Sequence, residues 1–211
     1  MKKIDLGGDM NIHIAGRGRM GTKLKRYLGE HHTLTEPEEA EMVIEAKKED
    51  LKIKQEFFRE MEERVGNHVL LGTCTSSLRI KDIFDNISDK SRCIGVHFFN
   101  PPHKMRLVEL TLLDQTEPRT LKPLDDLLSP LDKTVIECED TPGFIVNRIL
   151  NAILKEARSL EEEGYEREDI DKAVTDGLNH PMGPFELENY IGEELCCIIR
   201  KNLEATNAPQ E

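Results

Sequence analysis

Short apolar runs and amphipathic stretches alternate through the first two thirds of this chain, and that alternation limits the fold more than any single residue does. NIHIAG (11–16) is a β-branched run ending in glycine, and GTKLKRYLGE behind it has the polar and apolar mix of a helix. EMVIEA (41–46) reads as another apolar strand, followed by LKIKQEFFREMEERV, where Ile53, Phe57 and Met61 recur at i, i+4 and i+8 on one helical face. The exchange continues. HVLLGTC (68–74) leads into SLRIKDIFDNI, then come CIGVHFFN (93–100) and LVELTLL (107–113), a polar helix to Lys133 and the strand TVIECED (134–140). The pattern predicts an α/β fold with a Rossmann-like, mostly parallel sheet. From Pro142 it changes: FIVNRILNAILKEARSLEEEG and REDIDKAVTDGL are helical and no strand-like alternation returns. A sheet domain over 1–141 and a small all-α domain over 142–211 are therefore expected. GGDMN near the start and ATNAPQE at the end have the composition of frayed segments.

Composition excludes several classes of function. The formal net charge of -12 across 211 residues opposes a nucleic-acid footprint, which needs clustered excess Lys and Arg. No apolar run approaches the ~18 residues of a membrane span, and MKKIDLGGDM has no signal-type apolar segment, so the expectation is a cytoplasmic protein without a membrane partner. Cys74, Cys93, Cys138, Cys196 and Cys197 contain no CxxC pair, so neither a disulfide framework nor a metal centre is expected. They read as small hydrophobes in a reducing compartment, with exposure of Cys196 or Cys197 left open.

GRGRMG places Gly16, Gly18 and Gly21 at the GxGxxG spacing, directly after a strand and at the start of a helix. Such glycines permit a tight turn and let backbone N–H groups approach a pyrophosphate, whose charge is favoured at a helix N-terminus. The alternative is an ordinary strand–helix turn. Arg17 and Arg19 either add to phosphate contacts or point to solvent. A ribose-binding acid is expected roughly 20 residues on. Glu36 falls there by counting, unless it opens the loop toward EMVIEA; His31 and His32 beside it read as solvent-exposed, the alternative being contact with the 2′-phosphate of NADP.

CIGVHFFNPPHKMRLVEL puts His97 and Asn100 where a strand ends, two prolines after it, and Glu109 on the next strand. In an open parallel sheet the strand carboxyl ends face the ligand crevice. Histidine is the side chain whose ordinary pKa suits a base near neutral pH, and a carboxylate on its second nitrogen sets the tautomer and favours the imidazolium. His97 and Glu109 form a candidate pair; a structural histidine after an apolar strand is the alternative.

GTCTSSL (72–78), HFFNPP (97–102), LVE (107–109), DTPGFIVNRIL (140–150) and HPMGPFELENYIG (180–192), taken in order, resemble the 3-hydroxyacyl-CoA dehydrogenases. The resemblance runs from Gly16 to about residue 200. It implies NAD as cofactor, an acyl-CoA-type substrate and a homodimer formed through the helical domain. It also makes His97 the proton acceptor, Glu109 its electrostatic partner, Ser76 a hydrogen-bond donor to the reacting oxygen, and Asn147 a substrate-orienting group. Asn100 would lie beside the nicotinamide ribose, and Glu49, Lys54 and Ser76 itself match cofactor-side positions. From the residues alone, Ser76 reads equally as a helix N-cap before LRIKDIF and Asn147 as a polar inter-domain contact.

The chain departs from the family pattern between its first helix and EMVIEA, where the simplest alignment deletes the second strand, its ribose acid and the helices that usually contact coenzyme A. Cys74 stands where asparagine is usual and Asn151 where proline is common. Two alternatives follow: a dehydrogenase of a smaller, non-CoA 3-hydroxy acid, and a non-catalytic relic that keeps the fold and dimer surface. The apolar runs FIVNRILNAIL and LCCII exceed what a small helical domain readily hides, and Ile149 and Ile153 at i and i+4 define the expected dimer face.

Overall fold

This computed structural model describes residues 9–207, so the stretches GGDMN and ATNAPQE lie partly outside the described residues. Two compact units divide the chain, one ending at Thr141 and the other beginning at Pro142.

The first unit is an α/β layer structure. Its strands are β1 (Asn11–Ala15), β2 (Thr33–Leu34), β3 (Met42–Glu45), β4 (Leu70–Thr73), β5 (Cys93–Phe98), β6 (Leu107–Leu112) and β7 (Thr134–Glu137), interleaved with α1 (Arg19–Leu28), α2 (Leu51–Arg64), α3 (Ile80–Ile83) and α4 (Lys122–Leu128). They form one seven-stranded sheet in the order β2-β1-β3-β4-β5-β6-β7. Pairing is parallel throughout except between β5 and β6. Every residue of β3, β4 and β5 is buried, as expected of strands covered on both faces, whereas β1 alternates. Leu24 and Leu28 of α1 share one core cluster with Leu124, Leu127 and Leu128 of α4 and with Ile12, Ile44 and Val96 of the sheet. Phe57, Phe58 and Met61 of α2 are buried too, and Phe58 meets Phe84 with ring centroids 4.4 Å apart.

Three local expectations need correction. The second strand is reduced, not deleted. Thr33 N donates to Met10 O and Thr35 N to Ile12 O, pairing β2 in parallel with β1 until Pro37 opens a 3-10 turn, Pro37–Glu39, and ends the ladder. The helix expected over SLRIKDIFDNI shrinks to the four residues of α3, whose first N–H groups are capped from afar: Asp140 accepts from Ile80 N at 2.6 Å and Lys81 N at 3.0 Å. Ser76 is therefore not its N-cap. Finally, His32 is buried. Its Nε2 lies 3.0 Å from Leu127 O, and burial pushes the imidazole below its usual range, with that hydrogen bond partly opposing.

The second unit is helical: α5 (Val146–Glu162), α6 (Arg167–Leu178), α7 (Pro184–Ile191) and α8 (Glu193–Asn207). Ala157, Ile170 and Phe185 form its core cluster. Asp171 caps α7 by accepting from Phe185 N at 2.8 Å and Glu186 N at 2.9 Å. The approach is so close that a Cβ on Gly183 would stand 2.4 Å from Asp171 Oδ1, which restricts that position to glycine. Arg158 and Glu188 form an ion pair between α5 and α7. Cys196 is buried, which leaves half-buried Cys197 as the more accessible of the adjacent pair.

Candidate active site

Because β1, β3, β4 and β5 run parallel, the segments that follow Ala15, Glu45, Thr73 and Phe98 gather along one edge of the sheet. That edge holds most of the site residues read from the sequence.

His97 and Glu109 face each other directly in the antiparallel register of β5 and β6. Directly opposed residues project to the same face of a sheet. His97 Nδ1 and Glu109 Oε2 are accordingly 2.9 Å apart, with both residues buried, Glu109 at 1 % exposure. An ionised carboxylate only accepts, so with Glu109 ionised the shared hydrogen sits on Nδ1, and Nε2 is the ring nitrogen turned away from Glu109. Phe99 packs against the imidazole, ring centroids 4.5 Å apart.

The glycine turn lies beside the end of β3, where the strand order reverses between β2-β1 and β1-β3. Ala46 N donates to Ala15 O at 2.7 Å, and a Cβ on Gly16 would come within 2.4 Å of Ala46 O. Gly21 is just as confined, its Cβ falling 2.8 Å from Gly16 O. Gly18 differs. It is exposed at the N-cap of α1, and a Cβ there would meet no protein atom within 4 Å. The first turn of α1 carries no acidic residue, its N-cap makes no side-chain hydrogen bond, and Gly18 leaves the backbone there approachable. These features fit the phosphates of a dinucleotide. Arg17 and Arg19 are both exposed in the turn.

Around the loop after β4, Glu49 Oε1 accepts from Thr75 Oγ1 at 2.6 Å and from Ser76 N and Ser77 N at 2.8 Å each. Burial alone would raise the Glu49 carboxyl. The Lys54 ammonium and the bonds from Thr75, Ser76 and Ser77 outweigh it and hold the group below its ordinary range. Lys54 itself does not open onto the sheet edge: its side chain is wholly buried on Glu45. Asn100 Oδ1 accepts from Lys23 Nζ of α1 at 2.8 Å. Glu36 is exposed where the chain leaves the sheet. Asn147, the second residue of α5, is buried in the second unit.

Sequence reasoning missed Glu45, Thr73, Thr75 and Lys23. A signal existed for Glu45, a charge at the end of an apolar run that has Lys54 nine residues on in the following helix. Burial also explains Cys74 and Cys93, whose thiols are both pushed up to about 12.

Comparison with known proteins bears on this geometry. The family model described as "3-hydroxyacyl-CoA dehydrogenase, NAD binding domain" matches residues 17–141, and that described as "3-hydroxyacyl-CoA dehydrogenase, C-terminal domain" matches residues 143–210. A probable 3-hydroxyacyl-CoA dehydrogenase of Caenorhabditis elegans is 45% identical over 76% of this chain and 52% of its own length. The mitochondrial hydroxyacyl-coenzyme A dehydrogenase of Sus scrofa is 42% identical over 72% of this chain and 49% of its own. This chain thus spans about half the length of the curated relatives it matches. Among solved structures, the 3-hydroxybutyryl-CoA dehydrogenase of Escherichia coli superposes with a TM-score of 0.81 at 28% identity, covering 93% of this chain and 53% of that one.

Proposed function

The chain belongs to the 3-hydroxyacyl-CoA dehydrogenase family, and from that premise we propose that it interconverts a 3-hydroxyacyl-CoA and its 3-oxoacyl form using NAD. The observation that carries this reading is the buried His97–Glu109 hydrogen bond of 2.9 Å, set at the same sheet edge as a glycine turn shaped for phosphates.

Nicotinamide, when bound, supplies the hydride acceptor or donor. In the oxidation direction His97 Nε2 takes the hydroxyl proton as the carbon gives up its hydride, and Glu109 stabilises the imidazolium that results. Ser76 donates to the reacting oxygen, and Asn147 orients the substrate. Gly16, Gly18 and Gly21 keep side chains out of the way of the pyrophosphate, while Asn100 serves the ribose side. The helical unit makes the homodimer in this reading, supported by exposed Ile149, Tyr165 and Leu178 on its surface. The cytoplasm is the compartment in this reading; separately, among the described residues no helix is long and apolar enough to cross a membrane. The Sus scrofa relative, by contrast, is named mitochondrial.

A second reading keeps the chemistry but takes a smaller, non-CoA 3-hydroxy acid. The observation that favours it is the brevity of the link from β2 to β3, which holds little besides the turn Pro37–Glu39. One experiment addresses both readings: titration with NADH followed by nicotinamide fluorescence, then turnover of a 3-hydroxyacyl-CoA beside the free hydroxy acid. Saturable NADH binding and faster oxidation of the CoA ester are expected. Preference for the free acid would favour the second reading, and failure to bind NADH would overturn both.

A further inference from the structure

A buried chain of charges runs from the core of the first unit to the loop that carries Ser76, and the proposed proton transfer makes no use of it. Glu45 ends β3 and Lys54 lies one turn into α2; both side chains are 0% exposed. Lys54 Nζ donates to both oxygens of Glu45 at 2.9 Å, and Thr73 Oγ1 donates to Glu45 Oε2 at 2.7 Å. The same ammonium stands 3.7 Å from Glu49 Oε2. Glu49 then spends its other oxygen on the Thr75 hydroxyl and the amides of Ser76 and Ser77.

A buried ion pair adds little stability over apolar residues of the same volume. Holding α2 against β3 therefore does not require it. What the charges accomplish, and apolar groups would not, is to direct a second carboxylate at successive backbone N–H groups, an orientation that a flexible loop would otherwise lack. Charge-assisted hydrogen bonds of this kind are short and directional, and Thr75 extends the hold by accepting from Leu78 N at 3.1 Å.

We propose that Glu45, Lys54 and Glu49 are positioning residues for the substrate-binding loop: Lys54, pinned by Glu45, aims the Glu49 carboxylate at the Ser76 and Ser77 amides and so sets where the Ser76 hydroxyl stands. Lys54 and Glu49 then influence the reaction through Ser76. The inference rests on the reading of Ser76 as donor to the reacting oxygen.

The test is a double-mutant cycle on the full chain with Glu49→Gln and Ser76→Ala. Glu49→Gln should lower kcat/KM about tenfold when Ser76 is present and less than about twofold when it is absent, because coupled residues are not additive. Equal losses in both backgrounds would overturn the proposal. Hydrogen exchange reads the same hold without any turnover. The Ser76 and Ser77 amides should lose protection in Glu49→Gln and in Lys54→Met while Leu71 in β4 keeps its own. Thr73→Val, which removes only the hydroxyl bond to Glu45, replaces Lys54→Met should that variant not fold. Unchanged protection at Ser76 and Ser77 sinks the idea. If the wild type oxidises no hydroxy acid or CoA ester yet the exchange pattern responds as described, the functional reading fails and the loop-positioning assignment stands.

Discussion

At the scale of single residues, twelve positions separate His97 from Glu109 in sequence, and one antiparallel ladder closes that distance to a hydrogen bond. Removing the base while keeping an amide of similar shape isolates its chemistry. His97→Gln should lower turnover at least ~100-fold, the lower end of what general-base help supplies, with NADH affinity unchanged. Steady-state rates beside a fluorescence titration check this, and near-normal turnover would remove His97 from the mechanism. Glu49 carries a second consequence. Its folded-state pKa lies below the ordinary value of 4.5, so its contribution to stability is fully present above that value and is lost as pH falls through the folded pKa. Glu49→Gln should thus be less stable than wild type near neutral pH, by about 1–3 kcal/mol. The gap should close as pH falls through the folded pKa, below which both side chains are neutral. Urea unfolding at a series of pH values measures it; a gap that does not change with pH would argue against an ionised Glu49.

At the scale of elements, the strand–turn–helix from β1 to α1 separates the needs of the fold from the needs of a ligand. Gly16 and Gly21 are confined by backbone atoms of this same unit, so their glycines are required whether or not a dinucleotide binds. Gly18 is not confined, and its φ of -77° is open to any residue. Gly18→Ala should therefore leave thermal stability nearly unchanged, within the few tenths of a kcal/mol that separate these residues at an N-cap. Yet it should weaken NADH binding about tenfold, because the added methyl stands where a pyrophosphate approaches the backbone. Gly21→Ala should do both kinds of damage. Calorimetry and NADH titration on the two variants provide the check, and undiminished NADH affinity in Gly18→Ala would argue against phosphate contact at that turn. The capping of α3 by Asp140, sixty residues away in sequence, belongs to this scale as well.

For the whole molecule, the question is how the chain assembles. Ile149 is 57 % exposed on α5 and Ile153 half-buried four residues on, so an apolar face of that helix is left uncovered by its own unit. In the proposed dimer that face is covered by a second copy. Ile149→Asp should shift the sedimenting species from dimer toward monomer at micromolar concentration, a loss of about 2 kcal/mol or more of association energy if the position is central to the interface. Far-ultraviolet circular dichroism should stay unchanged, since the side chain is largely outside the core. A wild type that sediments as a monomer would refute the interface.

The sequence by itself determined the α/β class, because the periods of helix and strand and the residues that break them are local properties read within a dozen positions. It also named His97 and Glu109 as residue types suited to proton transfer, and Gly16, Gly18 and Gly21 as a turn. Tertiary structure decided the partners. The cross-strand register that sets His97 opposite Glu109 follows from how β5 and β6 pair, and no local pattern encodes it. Periodicity assigned Ile53, Phe57 and Met61 to one face of α2, but packing buried Lys54 beside them because Glu45 of β3 lay within reach of its ammonium. The same kind of long-range match buried His32 on Leu127 O and kept β2 as a two-residue strand. Such outcomes depend on which polar groups the folded chain brings within hydrogen-bond distance once water is excluded, and that is settled only when the elements pack.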